Sequence, residues 1–208
     1  MTRTIAFLYD NHADAVQAVR NLEARVPHDD ISIVASDGND RYIAPAVEHD
    51  AASGAGTGAG IGAGIGAVVG GGAGLLAGLG MLAIPGIGPV VAAGWLAATL
   101  AGAAAGAGVG AVSGGIIEAM TSAGVSREDA HLYAEGVRRS GTLVVVRVDE
   151  SRVDTVEAIM RQHNPVDATT RRTAWREEGW KAFDPKAAPY VPVDAVLERD
   201  LPRRTRAR

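Results

Sequence analysis

The chain has 208 residues, a formal net charge of −4 and no cysteine. That length holds one domain plus an extra module, and 47% hydrophobic composition excludes a wholly disordered polymer. The missing thiol excludes disulfides, thiolate metal sites and cysteine nucleophiles.

Charge divides the chain into three. Residues 1–50 carry four basic and nine acidic side chains, residues 118–208 carry sixteen and fifteen, and the 67 residues 51–117 carry no Asp, Glu, Lys, Arg or His. Twenty-two of the 27 glycines lie in that uncharged block. Neither flank is basic enough to be a nucleic-acid surface. The opening MTRTIAFLYDNHAD turns polar too early for a signal peptide, so the expected starting compartment is the cytosol.

Arg3 to Tyr9 is rich in β-formers, and Ala13, Val16, Val19 and Leu22 then recur at helical spacing. Pro27, Asp29 and Asp30 end that helix, and Ile31, Ile33 and Ala35 alternate as a second strand. Residues 1–50 thus read as the first half of an α/β domain.

The block 51–117 begins as a silk-like strip, SGAGTGAGIGAGIGA, with small residues at every second place. The period of two fails at Val68, whereas a period of four persists: Gly54, Gly58, Gly62, Gly66, Gly70, Gly74 and Gly78 form one track. A second runs Gly94, Ala98, Gly102, Gly106, Gly110, Gly114. Small residues four apart form a helical ridge that admits close backbone approach. Between the tracks, Pro85, Gly86, Gly88 and Pro89 mark a reversal. The expectation is a helical hairpin with arms at residues 61–84 and 87–112, this tip, and Trp95 near an interface. Each step of four advances 400°, so a long track drifts by about 40° per step and faces several neighbours. No phosphate loop is present, because no strand precedes a G-x-G-x-x-G and no Gly-Lys-Ser/Thr occurs.

In residues 118–173, Ser126 and Asp129 open a helix that runs to about Ser140 and stops at Gly141 as its left-handed residue. Thr142 to Val148 is a β-branched central strand, Ser151 to His163 an amphipathic helix, and Val166, Ala168 and Thr170 alternate as an edge strand. With the block removed, the order β-α-β, β-α-β predicts an α+β, ferredoxin-like sheet domain interrupted by the hairpin. Residues 174–208 form a tail holding Trp175, Trp180, Phe183 and Tyr190, aromatic residues placed to dock on the domain or on a neighbour, followed by prolines and a final Pro-Arg-Arg-Thr-Arg-Ala-Arg.

Chemistry-bearing motifs are sparse. Glu128 and His131 have E-x-x-H spacing but lack the second half of a di-metal site. Asp10, His12 and Asp14 sit where a helix dipole attracts acids in any case, and no nucleophile elbow occurs. No catalytic residue, cofactor, metal or small-molecule substrate is expected.

At residues 124–148, GVSREDAHLYAEGVRRSGTLVVVRV, the chain resembles the bacterial general stress proteins of the heat-induced, YflT-type domain family. Asp129, Tyr133, Glu135, Gly136, Arg138, Arg139 and Gly141 carry the resemblance, with Ser140 in place of a frequent second glycine. The similarity covers most of residues 3–150 and extends to the glycine-rich hairpin. It implies a stress-associated, non-enzymatic protein with no active site to carry over. The combined expectation is a structural protein that self-assembles through its glycine tracks. Its partners would be a lipid bilayer and copies of itself, at a bacterial inner membrane with both termini cytoplasmic, or else a soluble homo-oligomer with hairpins buried between subunits. A small-ligand sensor built on the sheet is the remote third reading.

Overall fold

The computed structural model describes residues 1–36, 80–84, 86–100, 115–187 and 190. They form a mixed α/β domain around one antiparallel sheet of five strands, β1 (Thr2–Tyr9), β2 (Ile31–Ser36), β3 (Gly80–Ile84), β4 (Gly88–Gly94) and β5 (Thr142–Asp149). Their order across the sheet is β1-β5-β2-β4-β3. The helices are α1 (His12–Glu23), α2 (Gly115–Ser122), α3 (Arg127–Arg138), α4 (Val153–Arg161) and α5 (Ala168–Glu177).

The apolar run of β5 explains its central place. Val144, Val146 and Val148 pack with Ile5, Ile31 and Ile33 under α1 and α4, while Leu143 and Val145 face the opposite side with Val34, under α2 and α3. Burying both faces of a strand requires helices on both sides, so the domain has three layers. Tyr9 is wholly buried in the first layer, and its hydroxyl donates to the carbonyl of Met160 at 3.0 Å.

The described parts of the block 51–117, residues 80–84, 86–100 and 115–117, belong to this domain. Residues 80–94, expected to be helical, are a β-hairpin docked on β2, with Ile33 opposite Ala93 and Ala35 opposite Val91. The reversal falls where the glycines placed it. Ile87 N–H donates to Ile84 C=O at 3.0 Å, Gly86 (φ 79) takes the left-handed position of that tight β-turn, and Gly88 (φ 96), also left-handed, opens β4. Pro89 lies within β4, paired with Ala83, and Pro85 lies outside the described residues. Strands win here because each glycine in a helix costs about 1 kcal/mol against alanine, whereas β2 offers an unpaired ladder and an apolar face. Ile84, Val90 and Ala92 bury against that face, together with Leu96 and Leu100 of a helical segment at 95–100.

Gly94 is therefore not a helix-ridge residue. It ends β4 at φ 87, and a methyl group there would collide with the carbonyl of Ile31. Trp95 stands beneath the Arg147 guanidinium at 4.7 Å, partly covered by the second core. Gly54, Gly58, Gly62, Gly66, Gly70, Gly74, Gly78, Gly102, Gly106, Gly110 and Gly114 lie outside the described residues.

Two further expectations change. The boundary at 117/118 falls inside α2, whose Ile116, Ile117 and Met120 are buried. The edge strand expected at 166–170 is the start of α5, because Asp167 accepts a hydrogen bond from Thr170 N–H at 2.7 Å and caps a helix there.

The end of α3 also differs in detail. Ser140, at φ 72, is the left-handed residue, not Gly141. Ser140 N–H bonds Val137 C=O at 3.0 Å and Gly141 N–H bonds Gly136 C=O at 2.9 Å, the paired bonds of a Schellman motif. A side chain at that position costs about 1 kcal/mol that glycine avoids. Ser140→Gly is therefore expected to raise the stability measured by urea unfolding by about 0.5–1 kcal/mol; a loss of stability would contradict this helix ending.

Candidate functional site

Several residues of α3 converge on one junction, where α3 meets β1 and α5. Ser126 opens α3 by accepting from Asp129 N–H at 3.1 Å. One turn on, the Tyr133 hydroxyl donates to the carbonyl of Ala6 at 2.9 Å. Burial drives the Tyr133 phenol up to about 12, with the Asp129 carboxylate pushing in the same direction, so it stays a protonated donor. Gly136 and Gly141 leave the space that Leu8 fills, which lets α3 lie close on β1.

Glu135 is 1% exposed and anchors two arginines. Arg138 donates to it through Nε (2.9 Å) and Nη2 (2.6 Å), and Arg139 through Nε at 2.7 Å. Arg139 extends on to Glu178 at 2.8 Å and lies over the Trp175 ring at 4.7 Å. Further bridges bind α5: Arg171 to both oxygens of Asp10 (2.9 and 2.6 Å), Arg172 to Asp129, and Arg176 to Glu128 at 2.8 Å. The E-x-x-H glutamate thus serves as an arginine acceptor.

The four tail aromatics separate. Trp175 is buried against Leu8 and Leu132, and Trp180 meets it edge-on at 5.7 Å. Phe183 enters the second core, and the following Asp184–Pro185 backbone presses against Gly86 of the β3–β4 turn. Tyr190 is 36% exposed, with the Arg138 and Arg139 guanidiniums each 5.7 Å from its ring.

Beside this junction runs the edge of β1 that, among the described residues, pairs with no strand. Met1 C=O accepts from Glu150 N–H, at the β5 end of the ladder, whereas Ala6 and Leu8 carbonyls accept from Tyr133 and from Val166 N–H (2.7 Å) on the outer side. Backbone groups alternate along a strand, so Thr4, Ala6 and Leu8 present N–H and C=O outward. They face a groove of about 680 Å³ lined by Arg3 to Phe7, the 124–126 turn, Tyr133, α4 and residues 164–169. Sequence reasoning missed this groove: it read residues 166–170 as an edge strand, whereas the Asp167 cap marks the start of a helix there.

His12 stands at the start of α1 with Nδ1 3.1 Å from Thr142 Oγ1, and burial lowers its basicity. His131 shifts in the same direction, from burial first and then the nearby Arg127 charge. Among the described residues, no three of His, Asp and Glu are grouped to hold a metal ion. Comparison of the chain with protein-family models, curated proteins and solved structures gives no match.

Two outcomes follow from this geometry. Glu135→Gln leaves two guanidiniums around a buried neutral amide and is expected to cost about 3 kcal/mol in urea unfolding, while Glu128→Gln, on the exposed rim, costs under about 1 kcal/mol. Equal losses would remove Glu135 from its anchoring role. For His12, the folded state holds its proton less tightly than the unfolded state. Its contribution to stability is therefore complete above the ordinary value of 6.5 and is lost as the pH falls below it. His12→Gln should flatten the decline in urea midpoint between about pH 7 and pH 5; an unchanged slope would assign that decline to other groups.

Proposed function

We propose that this is a non-enzymatic, stress-associated protein that works by contact, its sheet domain serving as a platform for the uncharged glycine-rich stretch within residues 37–79. The observation that carries the reading is where that stretch is tied. Ser36 pairs with Val90, which pairs with Leu82, and Gly80 sits level with Ala92 and Val34. Ser36 and Gly80 are therefore two strands and two residues apart, about 12 Å at ordinary sheet spacings. Forty-three residues separate two points that a few residues could bridge, and connections of that length in a compact domain are uncommon without a function of their own.

The proposed contact is with a lipid bilayer, at the inner membrane of a bacterium with both termini in the cytoplasm. The support is the run of residues 51–79, without a charged side chain and with the seven-member glycine track from Gly54 to Gly78. No helix among the described residues is long and apolar enough to cross a membrane. The drift of that track around a helix favours a second reading, a homo-oligomer in which copies pack on one another through the same stretch. The domain belongs to the reading as a ferredoxin-like variant: β1-β5-β2, with α1 and α4 on one face, keeps three strands of that order, and the hairpin β3–β4 extends it.

The test replaces residues 53–78 by a short Gly-Ser linker. The full chain is expected to float with vesicles of phosphatidylethanolamine and phosphatidylglycerol, and the deletion variant to stay behind with an unchanged circular dichroism spectrum. A full chain that avoids vesicles but elutes as a large lipid-free particle, lost on deletion, establishes the oligomer reading instead. A lipid-free monomer sinks both.

A further inference from the structure

The two hydrophobic cores on either side of the sheet are both incomplete at the same place. Of the partly covered apolar side chains around the first core, Phe7 and Val153 line the groove beside β1; around the second, Ala6, Val125 and Tyr133 do so. Between them runs the outer edge of β1, where among the described residues the N–H and C=O of Thr4 and the N–H of Ala6 have no backbone partner. At the far end one rung exists already. Asn164, at φ 52, turns the chain back after α4, Val166 N–H bonds Leu8 C=O, and Asp167 then diverts the chain into α5. Among the described residues, the sheet therefore holds the first rung of a strand alongside β1 and a slot where the rest would lie.

We propose that this slot binds an extended polypeptide segment of a partner protein, which adds to β1 as a sixth strand. Backbone chemistry identifies the occupant. Donor and acceptor groups repeating at alternate residues along an edge are matched by another extended main chain, which presents the same repeat. The slot spans Arg3 to Phe7, about 17 Å, room for roughly five residues. Side chains of an added strand alternate between Phe7 and Val153 on one side and Ala6, Val125 and Tyr133 on the other, so apolar or β-branched residues fit both faces. The rim carries both signs, with Arg3 bridged to Glu150, Arg161 to Glu157, and Asp167 capping α5. A segment uncharged through its middle meets no field that favours one sign. This inference is independent of what the glycine-rich stretch contacts.

The test titrates the ¹⁵N-labelled full chain with an acetylated, amidated heptapeptide, Lys-Thr-Val-Ser-Val-Thr-Lys. Two controls are used: the same peptide N-methylated at the Ser and at the two Val, and the same peptide with Pro in place of its central Ser. Thr4 and Ala6 amide signals are expected to shift saturably, with a Kd between about 10 µM and 1 mM, and both controls are expected to bind at least about tenfold more weakly. In the chain, Ala6→Pro removes an outward donor while leaving the β1–β5 ladder intact, as an edge proline does, and is expected to abolish the shift at Thr4. Should that variant not fold, the N-methylated peptide decides the matter alone. No shift at about millimolar peptide, or equal binding of the N-methylated control, overturns the proposal.

Discussion

Everything in this domain waits on β5. It is the only described strand that joins the N-terminal strands to each other, pairing along its length with β1 on one side and β2 on the other. Its partners lie more than a hundred residues earlier in the chain, so β1 and β2 share no ladder until residues 142–149 arrive. Pairings this distant carry a loop-closure cost before they return any stabilisation. The strand's composition meets that cost: LVVV fills both cores at once, with four consecutive apolar side chains wholly buried. The glycine-rich stretch is enclosed between these partners in sequence, and the chain leaves the sheet at the end of β2 and re-enters it at β3, on the side of β2 away from β5.

That arrangement accounts for which parts were legible in the sequence. β1, α1, β2, α3, β5 and α4 follow from local periodicity, caps and breakers, because each buries one face or both against a neighbour of ordinary composition. Residues 80–94 did not, since Gly-Met-Leu-Ala-Ile and Gly-Pro-Val-Val-Ala-Ala-Gly lie within a longer glycine and alanine pattern whose period of four suits a helix. The pattern is local, whereas the partner that decided the outcome, β2, lies more than forty residues upstream. Gly94 illustrates the point: it fits the ridge spacing, yet its position is fixed by the approach of the Ile31 carbonyl. The candidate site was legible as residues and not as a place. Glu135, Arg138, Arg139 and Tyr133 stand out in sequence only as a resemblance, while their common task, fastening α3 to β1 and to the tail, depends on Leu8, Asp10 and Trp175 from distant parts of the chain.

The exchange at residues 164–170 shows how a small local preference redirects the architecture. Alternating Val166, Ala168 and Thr170 could continue along β1, and Val166 begins to do so. Asp167 offers Thr170 N–H a capping bond, and a helix from that point carries Trp175 into the pocket made by Leu8 and Leu132 while Arg171, Arg172 and Arg176 reach three separate carboxylates. Burying a tryptophan is worth more than completing a short edge ladder, whose rungs contribute about 1 kcal/mol each. The exposed bridges add little individually; they fix the direction of α5 more than its stability.

The tail that results also connects the two ends of the sheet. After Trp175 and Trp180 cover the β1 side, Phe183 crosses into the second core and the Asp184–Pro185 backbone closes on Gly86, at the turn of the β3–β4 hairpin. Any side chain at Gly86 would displace that backbone, so the turn and the tail constrain each other through steric exclusion as well as through the turn's own φ of 79. One continuous segment therefore rests on the guarded end of the β1 edge, on α3, and on the hairpin that receives the glycine-rich stretch. The hairpin is anchored from two directions, by the β2 ladder along its length and by the tail at its tip.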